Sequence, residues 1–266
     1  MNQKNDIAMA PQKTLRENKI LFNLYQVYKY LVFFPLLGLS TLILFIIIFI
    51  FLMVASERFV QFGGVIWARF NSFITPMFVK VRGKENIVPG RSYVVVGNHQ
   101  SQYDIFVVYG WLPIDFRWVM KIELRKVPII GYYCHKAGHI YIDRSNSAAA
   151  VATINAAKAK ICGGTSVFFF PEGTRSKTGQ LLEFKKGAFK FAIDTALPIL
   201  PVTIKGTRDI LPANSIALFP GTAELIIHPQ IDVTGYTDDT ITELMSVARK
   251  AIQSGLDDSD TASNAR

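Results

Sequence analysis

A histidine and an aspartate, five residues apart, follow a short run of β-forming residues. Residues 93–97 read Tyr-Val-Val-Val-Gly, and His99 and Asp104 come directly after them. Open α/β sheets collect reactive groups just past the carboxyl ends of their strands. The Asp104 carboxylate could hold Nδ1 of His99 and leave Nε2 free to accept a proton, as a general base requires. This is two thirds of a catalytic triad without an obvious protein nucleophile, so the pattern predicts that a substrate hydroxyl attacks. Taken alone, a surface histidine beside an unrelated aspartate is the commoner explanation.

A second cluster of polar residues follows another apolar run. Residues 168–176 read Phe-Phe-Phe-Pro-Glu-Gly-Thr-Arg-Ser. Gly173 would allow close backbone approach to a ligand, and Arg175 could grip a phosphate through two parallel hydrogen bonds. An ordinary strand-to-loop turn with a surface arginine is the alternative, and the nearby Lys-Lys-Gly at 185–187 weakens it. The candidate binding groups of this segment are Glu172, Gly173, Thr174 and Arg175.

Two further runs of β-forming residues end in charged residues. Lys121 follows Trp-Val-Met at 118–120, and Arg144 follows the segment Gly-His-Ile-Tyr-Ile-Asp at 138–143. Either charge could belong to a solvated loop. Counting the first two clusters, four predicted strands end in reactive or charged residues: a His/Asp pair, a lysine, an arginine and a Glu/Arg pair. We therefore expect these side chains to converge at one edge of a sheet, which is the usual architecture of an α/β active site.

The elements that would carry these residues alternate along the chain. This alternation predicts an α/β fold with a largely parallel or mixed central sheet flanked by helices. The predicted strands are Val79–Arg82, Ser92–Val96, Arg117–Met120, His139–Ile142, Ser166–Phe170, Ile199–Ile204 and Ala223–Ile227. The predicted helices are Asp104–Gly110, Glu123–Val127, Ser147–Ile161, Ala188–Ala196 and Ile241–Leu256.

The N-terminal region has a different composition. Leu31–Ala55 contains 25 consecutive residues without a charge, and as a helix it would be roughly 37 Å long. The hydrocarbon core of a bilayer is about 30 Å thick, so we expect a membrane anchor that either spans the bilayer or lies in one leaflet. A second loosely helical segment covers 57–78, where Gly63-Gly64 is expected to weaken the helix and Trp67 to lie at a headgroup boundary.

These patterns divide the chain into four parts. We expect a membrane-associated two-helix element followed by an α/β catalytic domain, with a polar segment at each end. The boundaries are 1–20 for a basic disordered N-terminus, 21–78 for the membrane-anchoring helices, 79–256 for the α/β domain and 257–266 for an acidic, mobile tail.

The net charge of the chain limits the classes of binding partner, and its cysteine content indicates the redox setting. The chain of 266 residues has a net charge of +9, with +5 in residues 1–80, +8 in 81–231 and −4 in 232–266. A basic body beside a membrane anchor predicts attraction to anionic lipid or to an anionic substrate. Nucleic acid is disfavoured, because no basic helix or aromatic-basic array stands out. The two cysteines, Cys134 and Cys162, are too few for a disulfide framework and fit a reducing, cytoplasmic setting.

Four motifs in order along residues 80–210 resemble those of the glycerophospholipid acyltransferases, and most closely the bacterial 1-acylglycerol-3-phosphate acyltransferases. The first motif is the His99–Asp104 pair. The others are residues 138–144, residues 170–176 and the proline-containing Leu-Pro-Ile-Leu-Pro-Val at 197–202. One such motif is common by chance, whereas all four in this order form a specific signal.

The resemblance implies a membrane-bound enzyme that moves a fatty acyl group from acyl-CoA or acyl carrier protein to the free hydroxyl of 1-acylglycerol-3-phosphate, giving phosphatidic acid. Another lysophospholipid or a lyso-amino-acid lipid is the alternative acceptor. His99 would deprotonate the hydroxyl and Asp104 would orient the imidazole, with no acyl-enzyme intermediate. The residues implied for substrate binding are Lys121, Arg144, Glu172, Gly173, Thr174 and Arg175, with Pro201 on the acyl-donor side.

The resemblance also implies partners and location. The partners would be the lysophospholipid acceptor, the acyl thioester donor and membrane lipids, with acyl carrier protein a candidate and nucleic acid excluded. No cofactor beyond the acyl thioester co-substrate is expected. The location implied is the bacterial inner (cytoplasmic) membrane, with the active site facing the cytoplasm.

Three rival interpretations fit parts of the sequence. Cys134, His135 and His139 suggest zinc, but no glutamate follows His135 and Gly138 opposes a continuous helix, so we expect no metal. A non-catalytic membrane scaffold would explain the anchor and the charge but not a His/Asp pair at a strand end. A cysteine nucleophile lacks an acid–base partner near Cys134, and Cys162 lies at a predicted helix end.

Overall fold

The computed structural model describes residues 18–50, 57–128, 130–143, 153, 156–157, 161 and 163–258. The predicted helix at 147–161 falls almost wholly outside these ranges, and so do Arg144 and Cys162. The predicted polar ends lie outside them as well, apart from residues 18–20 and 257–258.

The described elements alternate between helices and short strands. The α-helices are α1 Lys19–Tyr28, α2 Phe34–Ile50, α3 Glu57–Ile74, α4 Tyr103–Trp111, α5 Ile130–Lys136, α6 Gly187–Thr195, α7 Thr207–Ile210 and α8 Ile241–Asp257. A π-helical turn, Lys29–Phe33, joins α1 to α2, and 3-10 turns cover Lys84–Asn86 and Ile122–Lys126. The strands are β1 Met77–Arg82, β2 Val94–Gly97, β3 Phe116–Lys121, β4 Ile140–Ile142, β5 Ser166–Phe169, β6 Ile199–Lys205 and β7 Gly221–Ile227.

Within the described ranges the strands form one seven-stranded sheet in the order β1-β7-β6-β2-β5-β3-β4. Neighbouring strands run parallel except for β6 and β7, which are antiparallel. The predicted α/β class with a mixed, largely parallel sheet is therefore confirmed, and each predicted strand is present within a few residues. Helix α5 had no counterpart in the prediction, because its seven residues carry no clear periodic pattern.

The centre of the sheet is buried on both faces. All four residues of β2 are buried, and so are those of β5. Val95 and Phe168 face a cluster that includes residues of α3 and α4, whereas Val94 and Val96 face a cluster that includes residues of α6 and α8. Covering both faces explains why the central strands read as unbroken apolar runs instead of alternating patterns.

Helices α2 and α3 pack as an antiparallel pair. Ser40 contacts Asn71 at 3.3 Å between Oγ and Oδ1, and one residue later Thr41 accepts a hydrogen bond of 3.0 Å from Trp67 Nε1. As the residue numbers rise along α2, the numbers of the contacted residues in α3 fall. The two helices therefore run in opposite directions. The indole N–H of Trp67 is thus used inside the helix pair, and a position of Trp67 at a headgroup boundary stays a prediction.

The two glycines of α3 do not interrupt the helix, contrary to the sequence-based expectation. Helix α3 runs without a break from Glu57 to Ile74. A Cβ atom at Gly63 would press on Leu44, and one at Gly64 would overlap Tyr109 and Tyr133. The missing side chains therefore let α3 approach its neighbours closely, and packing outweighs the roughly 1 kcal/mol helix penalty of each glycine.

The N-terminal helices expose much apolar surface. The helical stretch Lys19–Ile47 is 29 residues long, and an 18-residue window within it has a mean hydropathy of 2.5, which by length and composition is enough to cross a membrane. On α3 the exposed side chains recur every three or four residues along one face, at Phe59, Phe62, Ile66, Phe70 and Phe73. Apolar surface of this extent marks an interaction with lipid or protein, and together with the long apolar helix it indicates membrane association.

Candidate active site

His99 and Asp104 form a hydrogen-bonded pair at the carboxyl end of β2. His99 Nδ1 lies 2.8 Å from Asp104 Oδ2. The Asp104 carboxylate is fully buried, whereas the imidazole keeps 16% of its side-chain surface exposed. Since a carboxylate only accepts hydrogen bonds, Nδ1 carries the proton and Nε2 presents its lone pair. The pair has the geometry of an oriented general base.

Asp104 is held in place by donors on both of its oxygens. Oδ2 also accepts from the backbone N–H groups of Gln100 at 2.6 Å and Ser101 at 2.9 Å. Oδ1 accepts from the hydroxyl of Thr207, which is buried at the start of α7. Sequence reasoning missed Thr207. A hydroxyl directly after the Lys-Gly end of β6 was the available signal, since β6 lies beside β2 in the sheet.

Two buried side chains fix the turn that carries His99. Asn98 bonds both backbone groups of Ile204 on β6, with its Oδ1 accepting at 2.7 Å and its Nδ2 donating at 2.9 Å. Glu172 accepts from the backbone N–H of His99 at 2.8 Å and from that of Leu182 at 2.9 Å. Burial raises the pKa of the Glu172 carboxyl, and the two backbone donors oppose that rise. Glu172 therefore lies behind His99 and is not among the cavity-lining residues.

The exposed edge of His99 borders a cavity of about 660 Å³. The imidazole stacks on Phe170 with 3.9 Å between ring centroids and 11° between planes. The cavity extends from there between the sheet and the helices, and its walls are mostly apolar. The lining includes Phe33, Leu37, Leu44, Phe45, Trp67, Ile105, Phe106, Trp118, Met120, Leu124 and Ile130. A volume and lining of this kind suit a long apolar ligand.

Several polar or cationic residues border the cavity near His99. Lys121 ends β3, and Gly173, Thr174 and Arg175 follow β5, so both segments reach the carboxyl edge of the sheet. Gly173 has a φ of +71°, and a Cβ there would come within 3.1 Å of the Lys185 ammonium. Glycine thus allows a backbone conformation that brings Lys185 close to this loop.

Pro201 lies in the sheet instead of at the cavity. It is buried in β6, pairs with Val96 of β2, and its carbonyl accepts from the His228 N–H at 3.0 Å. In this antiparallel register Pro201 lies opposite His228, so the N–H that proline lacks would have donated to the His228 carbonyl. Pro201 therefore removes one hydrogen bond at the point where the β6–β7 ladder ends, which is a position where a sheet tolerates proline.

The far end of the cavity contains a second, fully buried histidine. His139 Nδ1 accepts from the Trp118 backbone N–H at 3.3 Å, which places the proton on Nε2, 3.1 Å from the Tyr109 hydroxyl. Tyr109 in turn donates to Gln61 at 2.7 Å. Burial, with help from the nearby Arg117 charge, lowers the pKa of His139 to about 3. His139 is thus a neutral structural residue with both ring nitrogens in use.

The residues of the rival interpretations take other positions. His135 is exposed and Cys134 is buried. Burial raises the pKa of the Cys134 thiol to about 12 against a small opposing effect of the Tyr141 hydroxyl, so the reactive thiolate is scarce. In the part of the chain that the structure describes, no three His, Cys, Asp or Glu side chains group as metal ligands.

Comparisons with known proteins agree with this geometry. The Acyltransferase family model matches residues 78–205. A chloroplastic 1-acyl-sn-glycerol-3-phosphate acyltransferase of Brassica napus is 32% identical over 197 residues, which is 70% of this chain and 57% of that protein. The human 1-acyl-sn-glycerol-3-phosphate acyltransferase alpha is 31% identical over 175 residues, or 65% of this chain and 62% of that protein. The chain thus spans somewhat more than half the length of these two relatives.

A solved structure is similar over most of its length. The crystal structure of the 1-acyl-sn-glycerophosphate (LPA) acyltransferase PlsC from Thermotoga maritima matches with a TM-score of 0.68 and 27% sequence identity. The match covers 84% of this chain and 96% of that one. It therefore extends beyond the 178 residues of the predicted α/β domain, 79–256.

Proposed function

The chain belongs to the acyltransferase family that includes the 1-acyl-sn-glycerol-3-phosphate acyltransferases, and on this premise we propose that it acylates the free hydroxyl of 1-acylglycerol-3-phosphate to give phosphatidic acid. The observation that carries the proposal is the His99–Asp104 pair at the rim of an apolar cavity whose border also holds Lys121 and Arg175. A base, cationic groups and an apolar cavity match the three parts of a lysophosphatidate: its hydroxyl, its phosphate and its chain.

The reaction uses His99 as a general base and then as a general acid. Nε2 takes the proton of the acceptor hydroxyl as that oxygen attacks the thioester carbonyl carbon. The new C–O ester bond forms, the C–S bond breaks, and the imidazolium returns the proton to the departing thiolate. Asp104 keeps the proton on Nδ1 and stabilises the imidazolium, and base catalysis of this kind contributes about 10²- to 10⁴-fold.

The phosphate of the acceptor is proposed to bind Lys121, Thr174 and Arg175, with the backbone at Gly173 approaching it closely. Among the described residues, the hydrogen-bond partner of the Arg175 guanidinium is the exposed amide of Asn214, with Oδ1 at 3.3 Å, so the guanidinium can turn to a bidentate phosphate contact. Lys185 joins this set because of its position beside Gly173. Arg144 remains a proposed phosphate ligand from the family motif.

Glu172 and Pro201 are proposed to act through other residues. Both Glu172 oxygens are used by backbone donors, and a carboxylate beside a phosphate would repel it, so Glu172 positions the His99 turn. Pro201 helps to order β6 next to β2, and any effect on the acyl donor would pass through that strand.

The class of acyl donor is inferred from the positive charge of the chain, and the cellular location is inferred from its exposed apolar surface. Acyl-CoA and acyl carrier protein are both anionic and suit the +8 charge of residues 81–231. The apolar faces of α2 and α3 are proposed to sit in the bacterial inner membrane as a hairpin or in-plane anchor, with the α/β domain of residues 79–256 on the cytoplasmic side. Lipid substrates would then reach the cavity from the bilayer.

The direct test is an acyl-transfer assay of purified protein against a panel of lysolipids. The panel contains 1-acylglycerol-3-phosphate, lysophospholipids with substituted phosphates and a lyso-amino-acid lipid, each with acyl-CoA and with acyl carrier protein. We expect the highest kcat/KM for 1-acylglycerol-3-phosphate, because its phosphate monoester presents the most charge to Lys121 and Arg175. A higher value for the lyso-amino-acid lipid would reassign the acceptor.

The matched variants are His99→Ala and His135→Ala. His99→Ala should lose about 10²- to 10⁴-fold in kcat, because the base is removed. His135→Ala should retain wild-type activity, because His135 is exposed and lies on a different segment. Transfer at a near wild-type rate by His99→Ala would reject the base assignment.

A further inference from the structure

Residues 121–130, here called the mouth segment, connect β3 to α5 along the edge of the cavity. Position 129 lies outside the described residues, and every other residue of the segment is exposed. Three of these exposed residues, Lys121, Leu124 and Ile130, also line the cavity. A side chain that lines a cavity and still meets solvent lies where the cavity opens, so the mouth segment forms part of that opening.

The mouth segment combines aliphatic and cationic side chains. Four large aliphatic side chains are exposed there, namely Ile122, Leu124, Val127 and Ile130. Three cations stand against one acidic residue, namely Lys121, Arg125 and Lys126 against Glu123. Within the described part of the chain, none of the three cations forms an ion pair. Exposed aliphatic groups close together mark an interaction site, and the cations beside them favour a partner that is both anionic and apolar.

The fold holds the backbone of the mouth segment in place. The Gly131 N–H donates to the Val127 carbonyl at 2.8 Å, and the Tyr141 hydroxyl donates to the Gly131 carbonyl at 2.8 Å. A Cβ at position 131 would lie 2.3 Å from the Arg125 carbonyl oxygen, so glycine lets α5 begin directly against the turn at 122–126. The backbone therefore keeps the aliphatic side chains in exposed positions.

The mouth segment adjoins the apolar N-terminal helices. Tyr132, in the first turn of α5, packs edge-on against Phe45 of α2 with 5.8 Å between ring centroids. Leu44 and Phe45 line the same cavity as Leu124. The exposed residues of α2 around this contact are Ile43, Ile46, Ile47, Phe49 and Ile50. The mouth segment is thus continuous with the apolar surface that indicates membrane association.

We propose that the mouth segment lies in the headgroup layer of the bilayer that holds α2 and α3, with Arg125 and Lys126 at anionic headgroups and Ile122 and Val127 at the start of the acyl chains. This inference deepens the proposed function and rests on its membrane placement. A lysolipid then passes from the leaflet into the cavity beside Leu124 without exposing its chain to water. An anionic acyl carrier protein would also attract the cations, but the aliphatic groups and the contact with α2 favour lipid.

The direct test measures the position of the mouth segment with a fluorescent label. Val127→Cys is made in full-length protein that carries Cys162→Ser, and Cys134 stays because its thiol is buried. Val247→Cys is the matched control, because Val127 and Val247 are 37% and 42% exposed and α8 covers the opposite face of the sheet from α3. The thiol is labelled with an environment-sensitive dye, and the protein is placed in lipid nanodiscs, whose two faces are both open to solvent.

The proposal predicts opposite responses to two quenchers. Iodide in the water should quench the label at 127 several-fold less than the label at 247, and lipids spin-labelled near the headgroup should quench only the label at 127. Equal quenching by iodide at both positions would overturn the proposal, and so would protection that requires acyl carrier protein instead of lipid. Ile122→Cys supplies a second label position should Val127→Cys fail to fold. Because no turnover is measured, this result is independent of whether acyl transfer to lysophosphatidate is found.

A second set of variants tests the role of the cations. Iodide protection at 127 should be greater in nanodiscs with anionic phosphatidylglycerol than in pure phosphatidylcholine, since each cation near an anionic surface favours contact by about fivefold. Arg125→Gln combined with Lys126→Gln should remove this dependence on lipid charge. Lys250→Gln changes an exposed lysine of α8 and should leave it unchanged. An undiminished dependence in the doubly substituted protein would reject headgroup contact by these two cations.

Discussion

His99 and His139 sit at opposite ends of one cavity and differ in almost every property that matters for proton transfer. His99 is partly exposed, bonds a carboxylate through Nδ1 and borders the cavity, and its Nε2 has no hydrogen-bond partner among the described residues. His139 is fully buried, accepts from a backbone N–H and donates to Tyr109. His99 closely follows strand β2, and His139 directly precedes strand β4. Neither the residue type nor a neighbouring strand therefore decides the role of a histidine. The partners of the two nitrogens decide it.

The two ends also differ in what their hydrogen bonds stabilise. Around His99, buried carboxylates hold a turn that would otherwise be free to move, and the last ring nitrogen is left for a substrate. Around His139, which directly precedes β4, the hydrogen bonds connect this residue to α3, α4 and β3. The comparison predicts that changes near His99 reduce kcat with little effect on stability, whereas changes near His139 reduce stability with little effect on kcat.

Among the changes that test this comparison, the largest effect is expected for Asp104→Asn. The amide oxygen can still accept from the Gln100 and Ser101 N–H groups, and the amide NH₂ then faces Thr207, whose hydroxyl can turn to accept. The fold should therefore persist. The charge that stabilises the imidazolium of His99 is lost, so kcat should fall about 10²- to 10⁴-fold in a steady-state assay. Wild-type kcat in a folded Asp104→Asn protein would show that His99 works without its carboxylate.

Glu172→Gln should produce a smaller loss at the same end. Glutamine has one acceptor oxygen, so either the His99 or the Leu182 N–H loses its partner. We expect kcat to fall about tenfold to 100-fold with KM unchanged, since the altered side chain moves the base and does not contact the substrate. The exposed neighbour substitution Glu183→Gln is the control. A raised KM for the acceptor with normal kcat would instead restore Glu172 to the substrate-binding set.

Tyr109→Phe tests the opposite end of the cavity. Removing the hydroxyl leaves the His139 Nε2–H and Gln61 Oε1 without their shared partner, which should lower the free energy of unfolding by about 1–3 kcal/mol. Denaturant titration in micelles measures this, and kcat should stay within about twofold. Tyr132→Phe changes a less buried tyrosine and should be near neutral. A loss of kcat in Tyr109→Phe without a loss of stability would contradict the division between the two ends.

The last expected effect, which develops only as the pH falls below neutral, is a change in the pH dependence of stability at His139. Its pKa is lowered to about 3 in the folded protein, whereas an unfolded histidine titrates near 6.5. Below about pH 6.5 the unfolded chain binds a proton that the folded one does not, so this group lowers stability as pH falls, by about 1.4 kcal/mol per pH unit until the folded pKa is reached. His139→Asn should flatten the slope between pH 6 and pH 4 by about that amount. His135→Asn should leave the slope unchanged, and equal slopes in all three proteins would refute a buried neutral His139.

The sequence alone predicted the fold class well for a physical reason. Strands buried on both faces, such as β2 and β5, need unbroken apolar runs, and such runs are visible without knowing the neighbours. The placement of Glu172 could not be predicted in this way, because its backbone partners at His99 and Leu182 come from distant parts of the chain. Thr207 lies 103 residues beyond Asp104 and was missed for the same reason.

The sequence by itself determined which chemical groups are available at the ends of the strands, including a histidine with a carboxylate within local reach. His99 and Asp104 are only five residues apart, so the backbone between them can bring the two side chains together without help from the rest of the fold. The tertiary structure decided which histidine keeps a free nitrogen and which buried carboxylates hold the turn that carries it. Burial and hydrogen-bond partners depend on contacts between β2, β5, β6 and the helices, and these contacts exist only once the chain has folded.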